Sequence, residues 1–300
     1  GLLQLGALFL RSQHYFADLL SHFALFACVV LILQLLISCI CKHGRIRYLL
    51  FSLWAIVFLY VTAYAVRQPL VTVVSDGDHT RPIRVLMFNV LSANRDQVSL
   101  IDYVLEQEAD VVVLLEITHA WKDQLQRLTA QLPYSIARSR SDNFGIAVYA
   151  RFPVDGQVQH VTEGGLSLPY IRALLRVGQQ ECDIWALHTL PPLNAERWAY
   201  NRRYLQNCLS HLSTERPSIV LGDLNTTATG ALYHMVQDHD ALVAVGAGYA
   251  FSSTWGPPFY PLLQLDHIFV SPEIRVVADA LGPRCGSDHR PVCAELLLPE

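Results

Sequence analysis

Hydrophobic residues are distributed very unevenly along this chain of 300 residues. Residues 23–41 and 48–66 form two apolar runs that contain no charged side chain. Each run is about long enough to cross a hydrocarbon core of roughly 30 Å as a helix. Residues 1–10 are also apolar and are typical of the end of a further span, or else of a cleaved signal peptide. The pattern predicts a transmembrane region over residues 1–67, with a buried helical hairpin of a soluble protein as the alternative.

The charges beside these runs predict how the chain crosses the membrane. The loop 42–47 is basic, and basic loops tend to remain in the cytoplasm. Segment 11–22 and everything after Arg67 would then lie outside the cytoplasm. Residues 68–82 are polar and contain proline at both ends, as expected of a linker. The remaining residues, 83–300, are enough for one large domain with its own core.

Repeated changes of hydrophobic period predict the elements of this domain. Apolar runs of strand length alternate with segments in which apolar residues recur every three or four positions. The predicted strands are 83–90, 109–118, 145–150, 171–177, 183–187, 218–221, 265–270 and 291–298, and the predicted helices are 96–108, 121–132 and 194–212. This mixture predicts an α/β fold, a four-layer α/β/β/α sandwich of two mixed sheets preceded by transmembrane helices.

Charge and cysteine content narrow the classes of function. Of the 22 basic and 26 acidic residues, five and three precede Arg81, which leaves 17 and 23 and a net charge of −6 for the rest. Nonspecific nucleic-acid binders usually carry the opposite sign. The seven cysteines include no C-x-x-C pair in the domain. A disulfide between Cys285 and Cys293 is conceivable outside the cytoplasm, although spacing alone does not establish one.

Polar residues recur at the ends of the predicted strands, where burial makes them costly. A single residue of this kind is most often a cap or a turn residue, whereas a repeated pattern predicts one convergent cluster. The residues concerned are Asn89, Glu116, His188, Asp223, Asn225, Asp266, Asp288 and His289. Carboxylate and amide oxygens suit Mg²⁺ or Mn²⁺ better than Zn²⁺. A His–Asp pair can orient and deprotonate an attacking water, so the cluster predicts hydrolysis of a phosphate ester.

Six segments in chain order resemble the motifs of the endonuclease/exonuclease/phosphatase superfamily. They are Phe88-Asn89-Val90, Leu115-Glu116, His188-Thr189, Gly222-Asp223-Leu224-Asn225, Leu265-Asp266-His267 and Gly286-Ser287-Asp288-His289-Arg290-Pro291. The resemblance extends from about Ile83 to the C-terminus. It implies a metal-dependent phosphoesterase, with a nuclease, an inositol phosphatase or a sphingomyelinase among the activities that the superfamily contains.

The resemblance also implies roles for the individual residues. Asn89 and Glu116 would be metal-site residues assisted by Asp288. His289 would be the general base or the histidine that contacts the phosphate, and Asp266 would orient it. The remaining residues follow by position: Asp223 and Asn225 would position the nucleophile and the phosphate oxygens, and His188 would contact the scissile phosphate.

Other positions are ambiguous. Arg172 matches a position where relatives can carry a phosphate-binding arginine, and an exposed strand arginine is an equally good interpretation. Asn143 is a second candidate for substrate binding, and a residue that only shapes a turn is an equally good interpretation. Trp255 is expected to pack in the core, and His267 to alternate to the strand face opposite Asp266. Many nucleases of the superfamily have aspartate at the position of Leu91, so this chain departs from them.

The predicted membrane segments favour one kind of substrate. Together with the motifs, they resemble the bacterial membrane-anchored branch of the superfamily, which includes proteins associated with glycopeptide resistance. That resemblance implies a lipid-linked phosphate or diphosphate, such as a polyprenyl diphosphate, at the outer face of the bacterial inner membrane. A membrane-tethered nuclease, a phospholipid phosphodiesterase and an inactive binding module are the alternatives. The sequence indicates no protein partner.

Overall fold

The computed structural model describes residues 10–23, 82–213, 215–239, 242–246, 253–256 and 263–299, together with positions 33, 36 and 52. The predicted spans lie almost wholly outside these residues. Within the described part of the chain, no helix is both long and apolar enough to cross a membrane.

Twelve strands in the described ranges form two mixed six-stranded sheets. In chain order they are β1 (Ile83–Asn89), β2 (Val111–Leu115), β3 (Tyr134–Arg138), β4 (Ile146–Ala150), β5 (Val154–Glu163), β6 (Leu166–Val177), β7 (Gln180–His188), β8 (Ser218–Asp223), β9 (Val243–Ala244), β10 (Asp266–Val270), β11 (Arg275–Leu281) and β12 (Val292–Leu297). Sheet 1 has the order β11-β12-β1-β2-β4-β3, and sheet 2 has the order β5-β6-β7-β8-β10-β9. Each sheet contains one parallel pair, β1 with β2 and β7 with β8.

Helices cover the outer face of each sheet. The helices whose bounds lie within the described ranges are α1 (Tyr15–Ser21), α2 (Gln97–Glu106), α3 (Lys122–Gln126), α4 (Ala195–Leu209) and α5 (Ala231–Gln237), and 3₁₀ turns at His119–Trp121 and Arg127–Ala130 flank α3. Helices α2 and α3 pack with sheet 1, and helices α4 and α5 pack with sheet 2. The single helix predicted over 121–132 is therefore three short helical segments.

The strands alternate their side chains between two environments, as the period of two requires. Val85, Met87 and Val113 of sheet 1 meet Ile184 and Ile268 of sheet 2 in a core between the sheets. The intervening residues face the helices in two outer cores. This arrangement confirms the predicted α/β sandwich of two mixed sheets. It also determines which polar residues at the strand ends point into the space between the sheets.

Candidate active site

Four polar residues continue the inward-facing rows of their strands. Asn89 follows Val85 and Met87 in the alternation of β1, and Asp266 precedes Ile268 on β10. His188 and Asp223 end β7 and β8 in the same inward register, and they are paired across the parallel strands. All four are at most 3% exposed. The core between the sheets therefore ends in a buried polar cluster at one edge.

Gly222 permits the close approach of the two parallel strands at this edge. A Cβ atom at this position would collide with the carbonyl oxygen of Leu187 on β7. Any larger residue would push Asp223 away from His188. The glycine of the Gly-Asp-Leu-Asn segment is thus required by packing.

Glu116 reaches the cluster because the chain turns sharply after β2. Its φ of 63° is left-handed, which breaks the strand alternation. Asn89 Nδ2 donates to Glu116 Oε1 at 3.1 Å and to Asp223 Oδ2 at 3.1 Å. The Ser92 amide donates to Glu116 Oε2 at 2.9 Å. The asparagine therefore links the carboxylates of the two sheets.

The second group is built around His289. Its Nδ1 lies 2.8 Å from Asp266 Oδ2, and its Nε2 lies 3.7 Å from Asp223 Oδ2. His188 Nε2 is 3.6 Å from the same Asp223 oxygen. The phenyl ring of Phe144 packs on the His188 ring at 4.9 Å between centroids. Two histidines, one at the end of β7 and one in the segment before β12, thus approach one carboxylate.

Burial and mutual charge give these groups different protonation states. Burial, reinforced by the charge of His289, lowers the pKa of His188 to about 3. Burial also opposes a charge on His289, but the carboxylates of Asp266 and Asp223 outweigh it and raise the pKa of His289 to about 10. Burial and the negative charge of Asp266 raise the pKa of Asp223. At neutral pH His188 is therefore neutral, His289 is an imidazolium, and Asp223 is a stronger base than an ordinary aspartate.

Asp288 lies beside this cluster and contacts an indole. Trp255 Nε1 donates to Asp288 Oδ2 at 3.0 Å, whereas Asp288 Oδ1 is buried without a partner among the described residues. Trp255 is only partly buried, so the predicted core role is replaced by one at the edge of the site. The neighbouring Ser287 donates to the Asn89 carbonyl at 2.8 Å and accepts from the His289 amide at 3.0 Å. Ser287 thereby joins the last motif to the first.

The residues present fit a divalent cation. Asp223, Asp266 and His289 each offer one ligand atom, and these three atoms lie within 4.8 Å of one another. Asp266 Oδ1 is a buried acceptor with no donor in the described structure. A protonated His289 is a poor ligand, because both ring nitrogens then carry hydrogen. Glu116 and Asn89 offer oxygens of the kind that hard cations prefer. Those two residues would hold the metal with the assistance of Asp288, whose Oδ1 has no partner among the described residues, and the metal would neutralise negative charge on a bound phosphoryl group.

The remaining predicted residues divide into those near the cluster and those remote from it. Asn225 follows Asp223, takes a φ of 46°, and donates to the Thr189 carbonyl at 2.9 Å. Asn143 is exposed at the rim, where its Oδ1 accepts from Ser92 Oγ at 2.8 Å. Arg172 is not brought to the site.

Arg172 lies on the face of β6 opposite the inward-facing Ile171 and Ala173. Its guanidinium stacks over Trp185 and lies 3.7 Å from Asp183. The substrate-binding role considered for Arg172 therefore lacks support from the geometry. His267 occupies the outer face of β10, as its alternation with Asp266 predicts, and its Nε2 lies 2.8 Å from the Thr226 carbonyl.

Sequence reasoning did not assign roles to Ser287, Ser92 or Phe144. Ser287 lies within the motif 286–291, so the motif itself indicated that this serine is near the site. Ser92 acts through its backbone amide, and Phe144 through ring contact with a distant strand. Neither contact follows from local sequence.

Comparisons with known proteins agree with this geometry. Residues 87–289 match the model of the endonuclease/exonuclease/phosphatase family. No curated protein matches the chain. Several solved structures share the fold, all with sequence identity too low to indicate more than the fold.

Three of these structures illustrate the range. An endonuclease/exonuclease/phosphatase from Beutenbergia cavernae is 20% identical, with 73% of this chain and 72% of that chain covered and a TM-score of 0.58. The human nocturnin catalytic domain with bound sulfate is 20% identical, covering 73% and 94%, at 0.57. D. rerio TDP2 in complex with a single-stranded DNA product is 17% identical, covering 72% and 99%, at 0.59. The family model spans most of the chain and includes the polar cluster from Asn89 to His289. The chain therefore belongs to the endonuclease/exonuclease/phosphatase family and is a metal-dependent hydrolase of phosphoester bonds.

Proposed function

We propose that the protein is a membrane-anchored phosphoesterase that uses Mg²⁺ or Mn²⁺ to hydrolyse a lipid-linked phosphate ester or diphosphate outside the cytoplasm. The observation that carries the hydrolytic part is the buried cluster, in which neutral His188 and charged His289 flank the Asp223 carboxylate. The anchoring part is supported by the uncharged segments 23–41 and 48–66. A lipid-linked substrate would then be presented at the surface where the enzyme resides.

The charge states suggest how the cluster would divide the work. Asp223, with its raised pKa, would accept the proton of the attacking water. His289, held as an imidazolium by Asp266, would donate its Nε2 hydrogen to a phosphate oxygen. His188 would approach the phosphate from the opposite side as a neutral hydrogen-bonding group. This assignment favours the phosphate-contacting role of His289 over the general-base role.

The surroundings of the cluster favour a substrate with an apolar part. Leu91, Phe144 and Trp255 lie at or beside its polar residues and are partly exposed. Leu91 stands where many nucleases of the family have aspartate, and its amide donates to Asn89 Oδ1 at 3.2 Å. The acidic balance of residues 81–300 also disfavours a long polyanion.

A screen for phosphate release tests the proposal. The purified 300-residue chain is assayed with polyprenyl diphosphate, phospholipids, nucleotides and plasmid DNA, each with Mg²⁺ and with Mn²⁺. We expect release from the polyprenyl diphosphate that EDTA abolishes and that His289→Ala lowers by about 10³-fold. His211→Ala is the matched control, since His211 is exposed just after α4 and its Nδ1 is hydrogen-bonded, among the described residues, to the neighbouring Asn207 and Ser210. Hydrolysis of DNA alone would exclude the lipid-linked substrate while leaving the phosphoesterase intact.

A nuclease or phosphodiesterase is the second candidate. It is favoured by the fold shared with TDP2 bound to a single-stranded DNA product. The same screen separates the two, because a phosphodiesterase would release no inorganic phosphate from a terminal diphosphate but would nick plasmid DNA or cleave a phospholipid headgroup.

A further inference from the structure

Helix α1 buries polar side chains and exposes apolar ones, which is the reverse of the pattern in a surface helix of a soluble domain. Its polar side chains Asp18 and Ser21 are 1% and 0% exposed, whereas Phe16 and Leu20 are 74% and 43% exposed. Residues three or four apart share a helix face, so the two pairs lie on opposite sides. A helix surrounded by water is expected to turn its apolar side inward. The outward side of α1 therefore suits an apolar environment.

Buried hydrogen bonds fix this orientation. Asp18 Oδ2 accepts from Trp198 Nε1 at 2.8 Å, and Asp18 Oδ1 accepts from the Ala231 amide at 2.7 Å. Ala231 begins α5, where backbone N–H groups lack partners within the helix. Asp18 thus caps a helix from a segment more than 200 residues away in the chain. The Thr229 hydroxyl adds a bond to the Ser21 carbonyl at 2.7 Å.

Further contacts connect α1 to residues 226–230, the loop that follows Asp223 and Asn225 and is called the catalytic loop below. His22 Nδ1 lies 3.0 Å from Thr227 Oγ1. A Cβ atom at Gly230 would lie 2.5 Å from His22 Cε1, so the two segments are in close contact. Helix α1 and this catalytic loop therefore form one packed unit.

Neighbouring residues indicate what the outward side of α1 meets. Residues 24–41, which follow directly, contain no charge. Leu33 and Leu36 within them are helical and are 54% and 56% exposed. Leu193, on the loop that leads into α4, is 71% exposed. Exposed leucine and phenylalanine side chains are favourable at the boundary between lipid headgroups and acyl chains.

We propose that α1 lies in the interface of a lipid bilayer, with Phe16 and Leu20 inserted, and that it holds the catalytic loop against the membrane surface. The inference rests on the membrane anchoring in the proposed function. It adds which side of the domain faces the lipid. It also explains how a site on a folded domain would remain within reach of a headgroup.

Site-specific photocrosslinking tests this contact without measuring catalysis. A benzophenone amino acid replaces Phe16 in the 300-residue chain, which is reconstituted in phosphatidylethanolamine–phosphatidylglycerol vesicles. The control replaces Val98, which is 52% exposed on α2. After irradiation we expect about tenfold more lipid adduct at position 16 than at position 98. Equal adduct at both positions, or crosslinking of position 16 only to protein, would overturn the proposal.

A double variant tests the functional consequence. Phe16→Ser with Leu20→Ser is expected to lower kcat/KM for a vesicle-borne substrate about tenfold and to leave hydrolysis of a soluble chromogenic phosphate monoester unchanged. An equal loss on both substrates would indicate a folding defect and contradict the interfacial role. If no lipid phosphate is hydrolysed but position 16 still labels lipid, the proposed substrate fails while the membrane contact stands.

Discussion

Replacing Asp266 with asparagine should reveal which task His289 performs. The two side chains are joined at 2.8 Å between Asp266 Oδ2 and His289 Nδ1, and they are 0% and 6% exposed. Asparagine has nearly the same shape and can still accept this hydrogen bond. The substitution therefore removes a charge while preserving most of the packing.

The size of the effect follows from this geometry. Two unit charges about 4 Å apart at an effective dielectric constant of about 20 interact by about 4 kcal/mol. That energy corresponds to a change of about three in pKa. The pKa of His289, raised to about 10 in the native protein, should therefore fall to about 7 in Asp266→Asn.

The assay is kcat/KM against pH from 6 to 9 at a fixed free metal concentration. If the imidazolium is the active form, native His289 remains mostly protonated throughout this range. In the variant the protonated fraction falls from about 90% at pH 6 to about 1% at pH 9. The kcat/KM of the variant should therefore be close to the native value at pH 6 and about 50- to 100-fold below it at pH 9.

A variant that is more active than the native protein would refute this assignment. A neutral His289 acting as general base would be more abundant in the variant than in the native protein at every pH from 6 to 9, so the variant would be the more active of the two, and its kcat/KM would rise as the pH passes about 7. A ratio of native to variant activity independent of pH would show that Asp266 does not control the charge of His289. The control is Asp110→Asn. Asp110 is also buried, and its Oδ1 accepts a hydrogen bond from Arg151 Nε at 2.8 Å. It immediately precedes β2, at the end of that strand away from the site. The control substitution should cost stability without a pH-dependent activity ratio.

Three further predictions concern packing, metal affinity and acid stability. Gly222→Ala should lower stability by about 1–3 kcal/mol in thermal unfolding and abolish activity, since its Cβ would meet a backbone carbonyl; an active variant with native stability would contradict the packing requirement. Trp255→Phe retains a ring but loses the donor to Asp288, and calorimetry should show about tenfold weaker Mg²⁺ binding; unchanged affinity would place Asp288 outside the metal site. Between about pH 6.5 and pH 3, His188 is protonated in the unfolded chain but neutral in the folded chain, because burial lowers its pKa to about 3. This difference should lower the free energy of unfolding by about 2 kcal/mol as the pH falls from 7 to 5. Urea unfolding in detergent should show that His188→Gln loses that part of the pH dependence, and an identical slope would disprove it.

The elements that the sequence predicts are those with the clearest burial pattern. All eight predicted strands are interior strands of the two sheets. The four strands that it misses, β3, β5, β9 and β11, are the edges. Strand β3 is mostly exposed, and β5 has no buried residue along its length. An edge strand of this kind lacks the apolar run on which the prediction depends, and backbone pairing with its neighbour defines it instead.

Strand periodicity predicts which of the polar side chains at the strand ends point into the site. Asn89, Asp223 and Asp266 end or begin inward-facing rows, so both their clustering and their burial follow from alternation. The same reasoning places Arg172 on the opposite face of β6, because it lies between the inward-facing Ile171 and Ala173. Motif position alone had suggested it as a substrate ligand. The side of the strand is thus a stronger criterion than distance from a motif.

Local backbone conformations supply what alternation does not predict. Five non-glycine residues have positive φ in the described structure, and three of them, Leu91, Glu116 and Asn225, directly border the polar cluster. Conformations of this kind cost on the order of 1–3 kcal/mol each and persist only where the surroundings compensate. Here the compensation is visible, because the Leu91 amide donates to Asn89, the Asn225 amide donates to Asp223, and Glu116 accepts from two donors. The side chains that receive these bonds are the same ones that form the site. The strained turns and the buried charges therefore stabilise each other, and a substitution that relaxes one turn should release the carboxylate or amide that it orients.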